Sequence, residues 1–165
     1  MKKPILVGIL LLCTSVSMAA PEKISRAATK ADLVGTWEMV SVRPVADKND
    51  PTYFPYQRFA FQPDSSMKVM VADKPFTKEW ADKFKKTPAS IDYSLNEKGI
   101  LTLSWQQRPH SEQAVCGYVM RDIPSEMTAK LTLEQRKQLP KKGNITLGFL
   151  SGGKIAYQKV LTKIA

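Results

Sequence analysis

The sequence predicts a mainly β protein, an eight-stranded antiparallel up-and-down barrel with one or two short helices. Three observations lead to this prediction. Several segments alternate apolar and polar residues with the two-residue period of half-buried strands, and the strands number eight in all. Turn-forming residues join most of these segments into hairpins. Helical patterns are few and short, and closing such a sheet into a barrel removes its exposed edges.

The first strand is predicted from Leu33 to Arg43, because Pro44 interrupts the alternation. A long loop follows, over residues 44–56. Its aromatic side chains, Tyr53, Phe54 and Tyr56, indicate a loop that packs over another surface.

Three hairpins account for six further strands. "RFAFQ" and "MKVMVA" flank residues 63–66, where proline fixes φ and Asp64 can accept bonds from its own backbone. "IDYSL" and "ILTLSW" flank Asn96 to Gly99. "NITLGFL" and "IAYQKVLT" flank Gly152-Gly153, which suits the positive φ values of a tight primed turn. The segment 114–121, "AVCGYVMR", supplies the remaining strand.

Two helices are predicted between the strands. In "PFTKEWADKFKKTP", residues 75–88, Phe76, Trp80 and Phe84 recur at every fourth position and form one stripe. This stripe favours packing against the core, and a lid at the barrel mouth is the alternative. Thr132 and Gln135 have the spacing of a capping box and predict a shorter helix.

The first 20 residues have the three zones of a secretory signal. Lys2 and Lys3 precede a short apolar stretch, and small residues near Ala20 suit cleavage. The apolar stretch is shorter than the roughly 20 residues that span a bilayer. We therefore expect a signal peptide over 1–20, a flexible lead over 21–30 and the barrel domain over 31–165. The expected location is the bacterial periplasm or the medium.

The net charge restricts the kinds of binding partner. The chain has 25 Lys and Arg against 15 Asp and Glu, without a dense basic run. Export and this even spread argue against nucleic acid and leave an anionic envelope component or another protein as partners of the basic surface.

Signal cleavage would remove Cys13, so Cys116 is expected to form no internal disulfide.

Catalysis and metal binding have little support. His110 is the only histidine, and no local signature pairs it with Cys116. One histidine cannot build a usual zinc shell, and Met67 and Met70 fall on opposite faces of a strand. We therefore expect a non-enzymatic protein with no catalytic residue, metal or cofactor.

Gly35-Thr36-Trp37 resembles the G-x-W motif on the first strand of the lipocalin and lipocalin-like families. "RFAFQPDSSMKVM" is similar to the unit after the long first loop of bacterial lipocalin-like domains, and "GNITLGFLSGGKIAYQKVLTKI" to their closing hairpin. The T-D-x-x-Y motif and the C-terminal arginine of classical lipocalins are missing. Lys159 or Lys163 would replace that arginine over Trp37. The resemblance implies a calycin-type barrel that binds a small apolar or amphipathic molecule.

A hollow barrel would present an apolar pocket with few polar groups. The expected ligand-binding residues are Phe61, Tyr93, Trp105, Tyr118, Tyr157 and Lys159, and the expected structural residues are Gly35 and Trp37. The alternative is a filled barrel that docks a partner through its basic surface and Tyr53, Phe54 and Tyr56. The sequence leaves both open.

Overall fold

The structure, a computed structural model, describes residues 24–44, 54–108, 110–137 and 139–165. Within these ranges it has nine strands and four helices. The strands are β1 (Ser25–Ala27), β2 (Gly35–Arg43), β3 (Tyr56–Phe61), β4 (Ser66–Ala72), β5 (Ile91–Leu95), β6 (Ile100–Trp105), β7 (Glu112–Met120), β8 (Ile145–Ser151) and β9 (Lys154–Lys163). The helices are α1 (Lys30–Leu33), α2 (Lys78–Lys86), α3 (Ser125–Thr128) and α4 (Leu133–Lys137).

Strands β2 to β9 form a closed antiparallel barrel, which confirms the predicted fold class. Each strand pairs with the next from β2 to β9, and β9 returns to pair with β2. The contact between β4 and β5 is the shortest, with only Ser66–Asp92 and Met67–Ile91 in register. The sequence predicted these eight strands because the alternation and the turn residues are both local signals.

The segment expected to be a flexible lead is part of the fold from residue 24 onward. Strand β1 pairs with the end of β7, and both Ile24 and Ala28 are buried. Thr29 and Asp32 then form a capping box that starts α1, so the barrel strand begins at Gly35 and not at Leu33. Three residues are too few for a detectable alternation, which explains why the sequence did not indicate β1.

The predicted turns have the expected chemistry. Oδ1 of Asp64 accepts hydrogen bonds from the backbone N and the hydroxyl of Ser66, at 2.9 and 2.7 Å. Gly152 and Gly153 have φ of 57° and 75°, the pair of positive values that a primed turn requires. These turns fix the register of the hairpins and therefore decide which residues face the barrel interior.

Trp37 closes one end of the barrel. Its indole is 3% exposed, and Nε1 donates a hydrogen bond of 2.7 Å to the carbonyl oxygen of Leu33. The ammonium of Lys163 lies 5.5 Å from the centre of the ring, so Lys163 and not Lys159 is the cation over this tryptophan. Gly35 has φ of +134°, and a Cβ atom there would lie 2.7 Å from the carbonyl oxygen of Ala165.

Helix α2 packs on the outer surface of the barrel and not over its mouth. Phe84 is buried, and the ammonium of Lys68, on β4, lies 5.0 Å from its ring and donates to the carbonyl oxygens of Lys85 and Thr87. Trp80 is 40% exposed. The stripe therefore packs only in part, and the lid alternative is wrong because the helix returns along β4 instead of crossing the open end. No helix in the described ranges is both long and apolar enough to cross a membrane.

Candidate ligand-binding site

The barrel interior contains a cavity of about 250 Å³. Its wall is mostly apolar and includes Phe61, Met67, Leu101, Leu103, Val115 and Leu147. Trp105, Tyr157 and Lys159 line it nearer the end opposite Trp37. Tyr157 is 37% exposed, so the cavity approaches solvent at this end, which we call the mouth.

Strand alternation accounts for this lining. Phe59 and Phe61 are two residues apart on β3 and share the inward face. On β9, Tyr157, Lys159 and Leu161 lie opposite Phe149, Leu147 and Ile145 of β8. The same face of β9 that contributes Leu161 to the core therefore also carries Lys159 into the cavity.

The ammonium of Lys159 is held among three aromatic rings and one amide. It lies 4.9 Å from the ring centre of Phe149, 5.5 Å from that of Phe59 and 5.7 Å from that of Tyr157. It donates a hydrogen bond of 2.6 Å to Oε1 of Gln57. Ring faces attract a cation at these distances, but they do not neutralise its charge.

Burial lowers the pKa of Lys159 to about 8, from an ordinary value of 10.5. The side chain forms no ion pair with any described residue. Tyr157 is the other ionisable group among the described residues of the cavity wall, and burial raises its pKa. At neutral pH the cavity therefore holds one positive charge.

Four of the six expected ligand-binding residues line the cavity: Phe61, Trp105, Tyr157 and Lys159. Tyr93 faces the interior but lies away from the cavity, with its ring edge against Phe61 and its hydroxyl bonded to the carbonyl oxygen of Gln62 at 2.9 Å.

Tyr118 lies on the other face of β7. Its neighbours along the strand, Gly117 and Val119, share the opposite face. Gly117 pairs with Leu147, which lines the cavity, so that opposite face is the inner one. The expectation that Tyr118 faces the cavity is therefore wrong, because the apolar run over β7 does not reveal which of its two faces is inside.

Two polar residues of the site were missed. Gln57 shares the inward face of β3 with Phe59, so the alternation in "YQRFAF" was a usable signal. Gln113 lines the cavity and donates to the carbonyl oxygens of Ala114 and Leu150, at 2.9 and 2.8 Å. It was missed because β7 begins at Glu112, before the predicted start at Ala114.

The considered pair of His110 and Cys116 is not brought together. His110 is exposed in the turn before β7, and Cys116 is buried four residues beyond the start of that strand, opposite Ile100. Four extended residues separate groups by about 13 Å. Cys116 is disulfide-bonded in this structure, whereas the expectation of no internal disulfide concerns the chain after signal cleavage and stays a prediction.

In the described part of the chain, no three His, Cys, Asp or Glu side chains are grouped so that they could hold a metal ion. Phe54 and Tyr56 of the predicted docking surface are both 37% exposed. Tyr53, the predicted signal peptide and residues 21–23 of the predicted lead lie outside the described residues.

Comparison with known proteins gives no relative. No family model, curated protein or solved structure matches this chain.

Proposed function

We propose that this protein is an exported, lipocalin-like barrel that binds one small apolar or amphipathic molecule and catalyses no reaction. The observation that carries the proposal is the cavity of about 250 Å³, with an apolar interior and a few polar groups near its mouth. Apolar walls with a small number of placed polar groups are the usual composition of small-molecule sites.

The volume limits the ligand to a small molecule. An apolar cavity of about 150 Å³ holds benzene, which has six carbon atoms. By that ratio, a cavity of about 250 Å³ holds roughly ten non-hydrogen atoms. A larger ligand would have to extend through the mouth.

The lipocalin-like part of the proposal is supported by the G-x-W segment. Gly35 has a positive φ, Trp37 is buried at the closed end, and a lysine takes the place of the arginine over the indole. Export is supported by the pattern of the first 20 residues alone.

Binding is tested by filling the cavity. Val69 lines it on β4, so Val69→Phe places a ring in the space that the ligand needs. Val40 is 57% exposed on β2, so Val40→Phe is a matched control outside the cavity. Isothermal titration calorimetry with 1-octanol, which has nine non-hydrogen atoms, would measure binding by all three proteins. Native mass spectrometry of the protein from its source would test for a co-purifying molecule.

We expect 1-octanol to bind the wild type and Val40→Phe equally, and to bind Val69→Phe at least tenfold more weakly. Circular dichroism would establish that both variants are folded. If the wild type binds no octanol and carries no molecule from its source, the proposal is wrong. Equal binding by Val69→Phe would also contradict it, because the ligand would then lie elsewhere.

A further inference from the structure

Lys159 is a charge without a counter-charge in an apolar cavity. It is the only cationic side chain among the described residues of the cavity wall, and no described carboxylate pairs with it. Its one hydrogen bond is to a neutral amide oxygen, that of Gln57. Withdrawing an ammonium from water without an opposite charge is unfavourable, so this arrangement is better suited to a ligand than to stability.

The charge and the apolar wall occupy different depths of the cavity. Lys159 lies two residues from the exposed Tyr157 on β9, whereas Phe61 pairs with Gly35 and with Met67 at the closed end. A ligand that satisfies both has a polar head at the mouth and an apolar body directed inward. A single positive charge matches a head with a single negative charge.

We propose that the ligand is a carboxylate of about eight carbons in all, with one apolar chain or ring system, whose head group pairs with the Lys159 ammonium at the mouth. This inference rests on the proposed function and names the ligand class of the same site. A carboxylate with eight carbons has ten non-hydrogen atoms, which matches the size estimated from the cavity volume.

The neighbouring groups are compatible with such a head. The Tyr157 hydroxyl stays protonated at neutral pH, because burial raises its pKa, and it makes no hydrogen bond to a described residue. It is therefore able to donate to a carboxylate beside Lys159. A hydrogen bond between an ammonium and a carboxylate is roughly twice as strong as one between neutral groups.

The test compares three ligands that differ only in the head: octanoate, 1-octanol and octylammonium. Each is titrated by calorimetry into the full chain at pH 7 and low salt. We expect octanoate to bind at least tenfold more tightly than octanol, and octylammonium to bind more weakly than either.

Two variants assign the preference to Lys159. Lys159→Met keeps the length of the side chain and removes the charge, and it should bind octanoate and octanol with equal affinity. Lys163→Met removes the same charge from the same strand at the closed end, over Trp37, and should retain the preference. Lys159→Gln is a second uncharged variant in case the methionine variant does not fold.

The outcomes separate this inference from the proposed function. Equal binding of octanoate and octanol by the wild type would overturn the inference and leave the proposed function intact. A preference that persists in Lys159→Met, or Lys159→Gln, would also overturn it. If none of the three ligands binds the wild type, the inference fails, and the proposed function fails with it when the protein also carries no molecule from its source.

Discussion

Nζ of Lys159 lies 2.6 Å from Oε1 of Gln57, and this amide is the one hydrogen-bond acceptor that the described residues offer the ammonium. The pair joins β9 to β3 although these strands are not neighbours in the barrel. It therefore crosses the inner side of β2, which lies between them, and holds a positive charge where a filled barrel would have an apolar side chain.

Replacing Lys159 should stabilise the protein at neutral pH. The pKa of Lys159 is lowered from 10.5 to about 8, and each pKa unit corresponds to about 1.4 kcal/mol. Since the unfolded chain holds this proton more tightly, the charged form lowers the free energy of unfolding below pH 8. We expect Lys159→Met to raise that free energy by about 1–3 kcal/mol at pH 7, measured by urea denaturation.

The pH dependence of the gain in the free energy of unfolding is the control for this prediction. Between pH 8 and 10.5 the folded wild type loses the proton before the unfolded chain does, so its stability rises relative to that of the variant. The gain should therefore shrink over this interval. A gain that stays constant from pH 7 to 10.5 would show that Lys159 titrates normally. In Lys159→Met the amide of Gln57 loses its hydrogen-bond partner. Adding Gln57→Leu to Lys159→Met would remove this unpaired amide.

Octanoate binding should weaken at high pH. Lys159 is charged below its pKa of about 8 and neutral above it, whereas octanoate stays an anion throughout. Its affinity should therefore fall progressively from pH 8 to pH 10, and octanol should show no such change. Calorimetry with both ligands at pH 7, 8, 9 and 10 would measure this. Parallel pH profiles for the two ligands would contradict a role for the ammonium.

Removing the indole of Trp37 should be severely destabilising. The ring is 3% exposed, and a large-to-small change of such a residue costs about 3–5 kcal/mol in the free energy of unfolding. Trp80→Ala is the matched control, because Trp80 is 40% exposed and its loss should cost less than about 1 kcal/mol. Urea denaturation of both variants would measure the difference. Similar small losses for the two would be incompatible with a barrel closed by Trp37.

Gly35→Ala should be more damaging than Gly143→Ala. Both glycines have a positive φ, which costs an alanine about 1–2 kcal/mol. At Gly143 nothing lies within 4 Å of an added Cβ, so only this backbone strain applies. At Gly35 the Cβ would also meet the carbonyl oxygen of Ala165 at 2.7 Å. Thermal unfolding should therefore show a clearly larger loss for Gly35→Ala, and equal losses would mean that the close approach is absent.

Local signals in the sequence were sufficient for the barrel strands. Period-two alternation marked most of them, and Asp64, Gly152 and Gly153 marked two of the turns that connect them. The capping box of Thr132 and Gln135 is also present, with hydrogen bonds of 2.8 and 3.2 Å. Each of these features depends on residues within a few positions of one another, so a single sequence contains the information.

The site was predicted only in part. Phe61, Trp105, Tyr157 and Lys159 line the cavity, and they were found because aromatic residues and an isolated lysine stand out in alternating strands. Tyr118 was assigned to the wrong face, and Gln113 was left outside its strand. A strand whose two faces are both partly covered does not reveal from its own sequence which face is inside.

The sequence by itself therefore determined the strands and their turns. The tertiary structure decided what no local pattern contains. It placed α2 outside the barrel, added β1 to the edge of β7, and brought Lys159 of β9 against Gln57 of β3. The physical reason is that closure of the sheet brings together side chains about 100 positions apart, and only closure determines how much space remains between them.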